Sequence, residues 1–287
     1  MKVKFRGVRG SIPTPGAATA EFGGNSSCVE IRADDGPPLV LDCGTGARAL
    51  GMDLIREGQR QVHVLFSHFH MDHLFGFPFF GPVYTPSCKV EVCVPAHNGE
   101  DAKVKLGNYL RGTYHPVRLA DLPAQISYRG VRPGRPFDVG PYQIQAVALN
   151  HPGGSCGYRI TVGQRTVVYL TDTAPLARPG TGLVDGRPPP GPERRVLSAM
   201  KDADLVIMDT MFTFEEYLEK MSWGHAYPEY GVALAEAAGA GRLALFHHSP
   251  DASDTALTAQ ARHWAAHESD VDISVARENE VIDLGRD

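Results

Sequence analysis

Ser67–His73 reads SHFHMDH and directly follows the apolar run VHVLF, Val62–Phe66. Three histidines and one aspartate therefore crowd the end of a segment whose β-rich composition predicts a strand. Side chains two residues apart in an extended chain share a face, so His68 and His70 can converge on one ion. Asp72 and His73 lie at the turn into the next element and can serve a second. Imidazole nitrogen and carboxylate oxygen together suit Zn²⁺, Mn²⁺ or Fe²⁺.

A metal centre needs further ligands, and the rest of the chain offers them at comparable places. In ALNHPGG, His151 follows the expected strand 142–149; in VVYLTDT, Asp172 follows 165–171; in LALFHHSP, His247 and His248 follow 242–246. Each stands where a rigid element meets a loop, a position that suits a preorganised site. Further strands are expected at 3–8, 28–32, 38–42, 62–66, 89–94, 156–162, 204–208, 271–276 and 280–284. Helical spacing joins Ala47, Leu50 and Leu54, then Phe214, Tyr217, Leu218 and Met221. It returns in Tyr230, Ala233, Leu234, Ala237 and Ala238, and in Leu257, Ala261, Trp264 and Ala265. Such a mixture predicts two packed β-sheets with helices outside, in one domain spanning residues 1–287. The stretch 177–195, rich in Pro, Gly and Arg, reads as a surface loop.

Composition narrows the function classes. The formal net charge of -5 gives no long-range field that favours a polyanion. The five cysteines, Cys28, Cys43, Cys88, Cys93 and Cys156, form no CxxC pair, and their number is odd. They read as reduced thiols of a cytoplasmic protein. No apolar run is long enough to span a bilayer, and the opening MKVKFRGV reads as a strand rather than a targeting segment.

Read together, SHFHMDH, His151, Asp172 and His247 resemble the ligand pattern of the metallo-β-lactamase superfamily, above all its branch of ribonuclease Z and small phosphodiesterases. The resemblance implies an αββα sandwich of two mixed β-sheets flanked by helices, with two divalent metals, zinc foremost, at the edge of the sheets. His68, His70 and His151 are then expected on the first metal, Asp72, His73 and His247 on the second, and Asp172 between them. LDCGTG, Leu41–Gly46, resembles the family's early Asp-x-Gly-x-Gly turn and casts Asp42 as either a support for the ligands or a plain turn residue. In SWGHAYPEYG, His225 occupies the place of a family histidine that faces the scissile phosphate, paired with an upstream acid; MDTMF supplies Asp209 for it. Ala226 and Tyr227 depart from the family's Ser-Thr pair, and Asp209 from its Glu.

These residues imply a phosphodiesterase in which a hydroxide bridging the metals attacks, Asp72 orients it, and His225 held by Asp209 assists the leaving group. The net charge and the lack of a recognisable long arm favour a small phosphodiester, such as a cyclic nucleotide, over a large RNA. The arginines of YRGVRPGR (128–135) and of 177–195 are alternatives for substrate contact. The aromatic stretch LFGFPFFGPVYTP (74–86) can stack a base, pack in the core or form a homodimer interface. Rival readings are an acyl hydrolase of lactones, thioesters or β-lactams, a ribonuclease Z-like endonuclease, and a metal-binding protein without turnover. A di-iron oxygen- or NO-reducing centre would call for Glu at the place of His70.

Overall fold

The computed structural model describes residues 1–34, 36–175 and 193–285. The chain opens with β1 (Lys2–Gly7), β2 (Cys28–Arg32), β3 (Leu39–Leu41), α1 (Ala47–Arg56), β4 (Gln61–Leu65) and a single helical turn, α2 (Met71–Leu74). Next come β5 (Lys89–Pro95), α3 (Gly99–Tyr109) and β6 (Gln125–Val131). A second run holds β7 (Phe137–Val139), β8 (Tyr142–Leu149), β9 (Ser155–Val162), β10 (Arg165–Leu170), α4 (Glu193–Met200) and β11 (Leu205–Asp209). It ends with α5 (Phe214–Glu219), α6 (Pro228–Ala238), β12 (Arg242–Phe246), α7 (Asp254–Ala265), β13 (Asp272–Val275) and β14 (Val281–Asp283). Two sheets result, ordered β14-β1-β2-β3-β4-β5-β6 and β13-β12-β11-β10-β9-β8-β7.

Three apolar layers hold this sandwich together. Phe5, Ile31, Tyr142, Tyr158, Tyr169 and Phe246 pack between the sheets. Leu50, Leu54, Val62, Val64 and Leu106 seal α1 and α3 onto the first sheet. Val196, Met200, Leu234 and Trp264 seal α4, α6 and α7 onto the second. The innermost strands are parallel and covered on both faces, which explains their unbroken apolar runs: Leu205–Asp209 of β11 is buried throughout. The αββα architecture expected from the resemblance is present.

Every strand expected from the sequence is found, with each boundary shifted by no more than one residue. The first half of YRGVRPGR is strand, since Tyr128–Val131 belong to β6. Two of its three arginines serve the fold: Arg129 pairs with Glu91 at 2.7 Å, and Arg132 donates to the carbonyl of His97 at 2.7 Å. In α5 the apolar stripe is not inward; Tyr217 alone is buried, while Phe214, Leu218 and Met221 are exposed. The stretch 74–86 mostly packs in the core, with Phe77, Phe80 and Val83 buried and Phe79 and Tyr84 exposed. Residues 177–192 of the expected loop lie outside the described residues, and 193–195 instead belong to α4.

The strand directions bring one edge of both sheets together. β4 ends beside β3 and β5 in the same sense, and β10, β11 and β12 are mutually parallel. β8 reaches β10 through two antiparallel pairings and so points the same way. The turn at LDCGTG must then fit tightly beneath this edge. A side chain at Gly46 would place its Cβ 2.0 Å from the carbonyl oxygen of Arg6. Gly46→Ala should therefore lower stability by about 1–3 kcal/mol through overpacking. Gly16, with open space around it and extended backbone, should tolerate alanine within about 0.5 kcal/mol. Urea unfolding checks both, and equal losses would contradict the packing argument.

Candidate metal centre

The shared edge carries nine chemically active side chains: His68, His70, Asp72, His73, His151, Asp172, Asp209, His225 and His247. His68 and His70 follow β4, and Asp72 and His73 ride on α2. His151, Asp172 and His247 follow β8, β10 and β12, Asp209 ends β11, and His225 precedes α6. All but the exposed His70 are buried. Among the described residues, six non-glycine residues have positive φ, and four of them border this cluster: Ser11, Asp42, Asp172 and His247. Such backbone is unfavourable for ordinary residues and gathers at functional sites.

Donor atoms form two groups that share Asp172. His68, His70 and His151 surround one side, and Asp72, His73 and His247 the other. The carboxylate of Asp172 divides between them. Its Oδ2 lies 3.6 Å from Nε2 of His68 and 3.5 Å from Nε2 of His151. Its Oδ1 lies 3.0 Å from Nε2 of His73 and 3.1 Å from Nε2 of His247. Asp72 Oδ2 completes the second group, 3.1 Å from His73 Nε2 and 3.3 Å from His247 Nε2. In the first group, Nδ1 of His70 faces Nε2 of His151 at 2.9 Å. Ligand atoms on a tetrahedral ion with bonds of about 2.0–2.2 Å stand about 3.4 Å apart, so these spacings resemble edges of coordination polyhedra.

The hydrogen bonds behind the rings fix the tautomers. The Ser67 hydroxyl donates to Asp42 Oδ2 at 2.8 Å, so its oxygen accepts from Nδ1–H of His68 at 3.0 Å. Nδ1–H of His73 donates to Asp42 Oδ2 at 2.8 Å, and that of His151 to the carbonyl of Gly224 at 2.9 Å. Each proton behind the ring leaves a lone pair on Nε2, aimed into the cluster. Nε2 of His68 and of His73 are buried with no hydrogen-bond partner, which is costly unless something else occupies their lone pairs. Burial, with the charge of His73 beside it, drives the His68 pKa well below its ordinary value and keeps the ring neutral. Burial also disfavours charge on His73, yet Asp72, Asp172 and Asp42 outweigh it and raise its pKa well above the ordinary value. A pocket that draws positive charge this strongly, and presents mixed nitrogen and oxygen donors, fits a pair of divalent cations.

Residues 39–248 match the family described as Beta-lactamase superfamily domain. The chain belongs to the metallo-β-lactamase superfamily. Among its relatives, a ribonuclease Z of Thermoplasma acidophilum is 26% identical over 298 residues, covering 90% of this chain and 89% of the relative. The probable metallo-hydrolase YhfI of Bacillus subtilis is 26% identical over 250 residues, covering 86% of each. The crystal structure of that YhfI matches with a TM-score of 0.70 at 21% identity over 98% of both chains. A structure described as a new diphosphatase from the PhnP family matches at 0.68 and 15% identity, covering 99% of this chain and 98% of that one. The superfamily and the donor set agree on a metal-dependent hydrolase.

In this superfamily member, His225 and Asp209 stand beside the donor groups rather than within them. His225 is buried, stacks on His247 with ring centroids 5.1 Å apart, and lies 5.2 Å from His151. Its Nδ1 is 2.8 Å from Asp209 Oδ2. Asp209 spends its oxygens on holding the site: Oδ2 also accepts from the amide of Thr173 at 3.1 Å, and Oδ1 from that of Met211 at 3.1 Å. It is thus a clamp, although with Asp172, His225 and His247 it forms a third compact group. Burial alone would lower the His225 pKa, but the charge and hydrogen bond of Asp209, aided by Asp172 and Asp72, raise it to about 9. His248 turns away from the donor groups, with Nε2 2.8 Å from the carbonyl of Ala276.

Several contributors escaped sequence reading. The amide of Ser11 donates to Asp72 Oδ2 at 2.9 Å, and Gly10 packs so closely on the His247 ring that a Cβ would lie 2.5 Å from it. Buried Arg9 donates to the carbonyls of Gly23, Ser249 and Ala252, fastening the loop beyond His247. The only signal for them was the turn-rich RGSIPTPG after β1. Asp42 is a support rather than a plain turn residue. Besides Ser67 and His73, it accepts from Tyr169 at 2.9 Å and so ties the two sheets together behind the ligands. Asp42→Asn should weaken divalent-metal retention by about 10–100-fold, the usual cost of a lost partner behind a ligand. Competition with a chromogenic chelator measures this, and wild-type retention would contradict it.

Proposed function

We propose that the protein is a phosphodiesterase that uses two divalent ions, zinc in the first place with manganese or iron as alternatives, on a small phosphodiester such as a cyclic nucleotide. His68, His70 and His151 are the proposed ligands of one ion, Asp72, His73 and His247 those of the other, and Asp172 serves both. When bound, such a pair supplies an acidic water and neutralises charge on phosphoryl oxygens. Asp72, fixed by the Ser11 amide, is placed to orient the attacking water. His225 is placed to hold a proton for the departing alkoxide.

The observation that carries this reading is the His225–Asp209 pair at 2.8 Å. Seven other side chains already furnish both donor groups, so His225 is surplus to ligation. A leaving oxygen can take a proton from such a histidine in either reaction, but a phosphodiester also brings a negative charge on the reacting group for the histidinium to neutralise. The relatives named ribonuclease Z keep RNA open as a second substrate class, against the expectation from net charge. We further propose a cytoplasmic homodimer, consistent with cysteines that are all free and buried. Among the described residues, no helix is long and apolar enough to cross a membrane.

Protein of measured metal content should hydrolyse bis(p-nitrophenyl) phosphate, lose that activity to a chelator and regain it on metal addition. His225→Ala should keep its metals yet lose about 10²–10⁴-fold in kcat on a cyclic nucleotide, whose departing alkoxide needs a proton, and far less on the p-nitrophenyl ester, whose leaving group does not. Full activity of that variant on the cyclic nucleotide would overturn the assignment of His225. Inertness toward phosphodiesters with both ions bound, alongside turnover of a lactone or thioester, would overturn the phosphodiesterase reading.

A further inference from the structure

Helix α5 and the segment that joins it to α6 expose apolar side chains. Phe214, Leu218 and Met221 are 40%, 45% and 46% exposed, and Trp223 is 61% exposed. The indole is not on a loose tip. Its amide donates to the carbonyl of Lys220 at 2.9 Å. The next residue, Gly224, sits at φ 91 and accepts from Nδ1 of His151 at 2.9 Å. The one after it is His225, bound to Asp209 at 2.8 Å. Two site histidines therefore fix the peptide that carries Trp223, and a side chain at Gly224 would bring a Cβ 2.4 Å from the His151 ring.

Phe212 spans the gap between indole and imidazole. Its ring meets Trp223 at 6.4 Å and 71°, and His225 at 5.7 Å and 83°. The ammonium of Lys220 lies 5.0 Å from the Phe212 centroid and 5.7 Å from that of Trp223. An accessible aromatic face carried on a fixed peptide, and a cation, thus stand one ring away from His225. Stacking on a nucleobase needs such a face, and Lys220, which also pairs with Glu216 at 4.0 Å, adds a cation at its edge.

We infer that Trp223 is a stacking platform for a nucleobase, which makes nucleoside phosphodiesters the substrate class of this centre. The inference rests on the phosphodiesterase reading and deepens it. With metal-loaded full-length protein, Trp223→Ala should raise KM for the p-nitrophenyl ester of thymidine 5′-monophosphate by about 5–150-fold, the equivalent of about 1–3 kcal/mol of stacking. Its kcat should stay within about twofold, methyl p-nitrophenyl phosphate should be unaffected, and Trp223→Phe should recover most of the loss. Binding offers a readout independent of turnover. Trp264, the other tryptophan, is 6% exposed. Adenosine monophosphate should quench the exposed indole emission, and ribose 5-phosphate should not. An unchanged KM in Trp223→Ala, an equal loss on both esters, or equal quenching by both ligands would overturn the inference while leaving phosphodiester turnover intact. Inactivity toward both esters in the metal-loaded wild type would instead strike the phosphodiesterase reading. Trp223 emission that shifts with protein concentration and ignores nucleotide would assign the face to a second copy, which also overturns it.

Discussion

The carboxylate of Asp172 is the point on which the site depends. Its two oxygens face different histidine groups, with Oδ2 toward His68 and His151 and Oδ1 toward His73 and His247. Those histidines come from both sheets, so the carboxylate can divide this way only if the sheets meet at a fixed spacing. The packed layer between them, built on Phe5, Tyr158, Tyr169 and Phe246, sets that spacing. Hydrogen bonds at the edge refine it: the amide of Cys156 donates to the carbonyl of Ser67 at 3.0 Å, and Tyr158 to that of Phe66 at 2.6 Å. The same edge accepts unfavourable backbone at Asp42, Asp172 and His247, which a rigid scaffold can sustain.

Behind this carboxylate stands another, Asp42, whose oxygens accept from Ser67, His73 and Tyr169. It thereby fixes which nitrogen of His68 and His73 carries the proton. Ligand identity alone does not make a metal centre. The lone pairs must face inward, and here the supporting hydrogen bonds ensure it. Asp209 performs a parallel service for His225, using the Thr173 and Met211 amides to hold itself in place. In the proposed function, metal ligation and proton handling are thus set up by two separate buried acids on adjoining parts of one edge.

Much of this was legible in the sequence because both the fold and the ligands follow short local rules. Apolar runs of β-branched residues marked the strands, and ligand-type residues directly after them marked the edge. Elements with weaker patterns were harder to read. β6 is covered on only one side, so QISYRGV lacks a continuous apolar run, and α3 buries little beyond Ala102 and Leu106. Contributions made through the backbone leave no side-chain signature. The Ser11 amide on Asp72 and the Gly224 carbonyl on His151 belong to that class. The outward face of α5 was not legible for a different reason: helical spacing of Phe214, Leu218 and Met221 shows that a face is apolar, not whether the protein itself covers it.

The superfamily supplies a scaffold on which several hydrolytic reactions are feasible, and fold alone does not choose among them. Here the choice rests on a histidine beyond the ligand set and on the aromatic rim that follows its backbone. Both presuppose that two ions share Asp172. Metal stoichiometry of the wild type and of Asp172→Ala, measured by mass spectrometry of the desalted proteins, tests that claim most directly. Two ions per chain in the wild type, with both lost from the variant, is the predicted result. A single ion in the wild type, or two retained without Asp172, would contradict it.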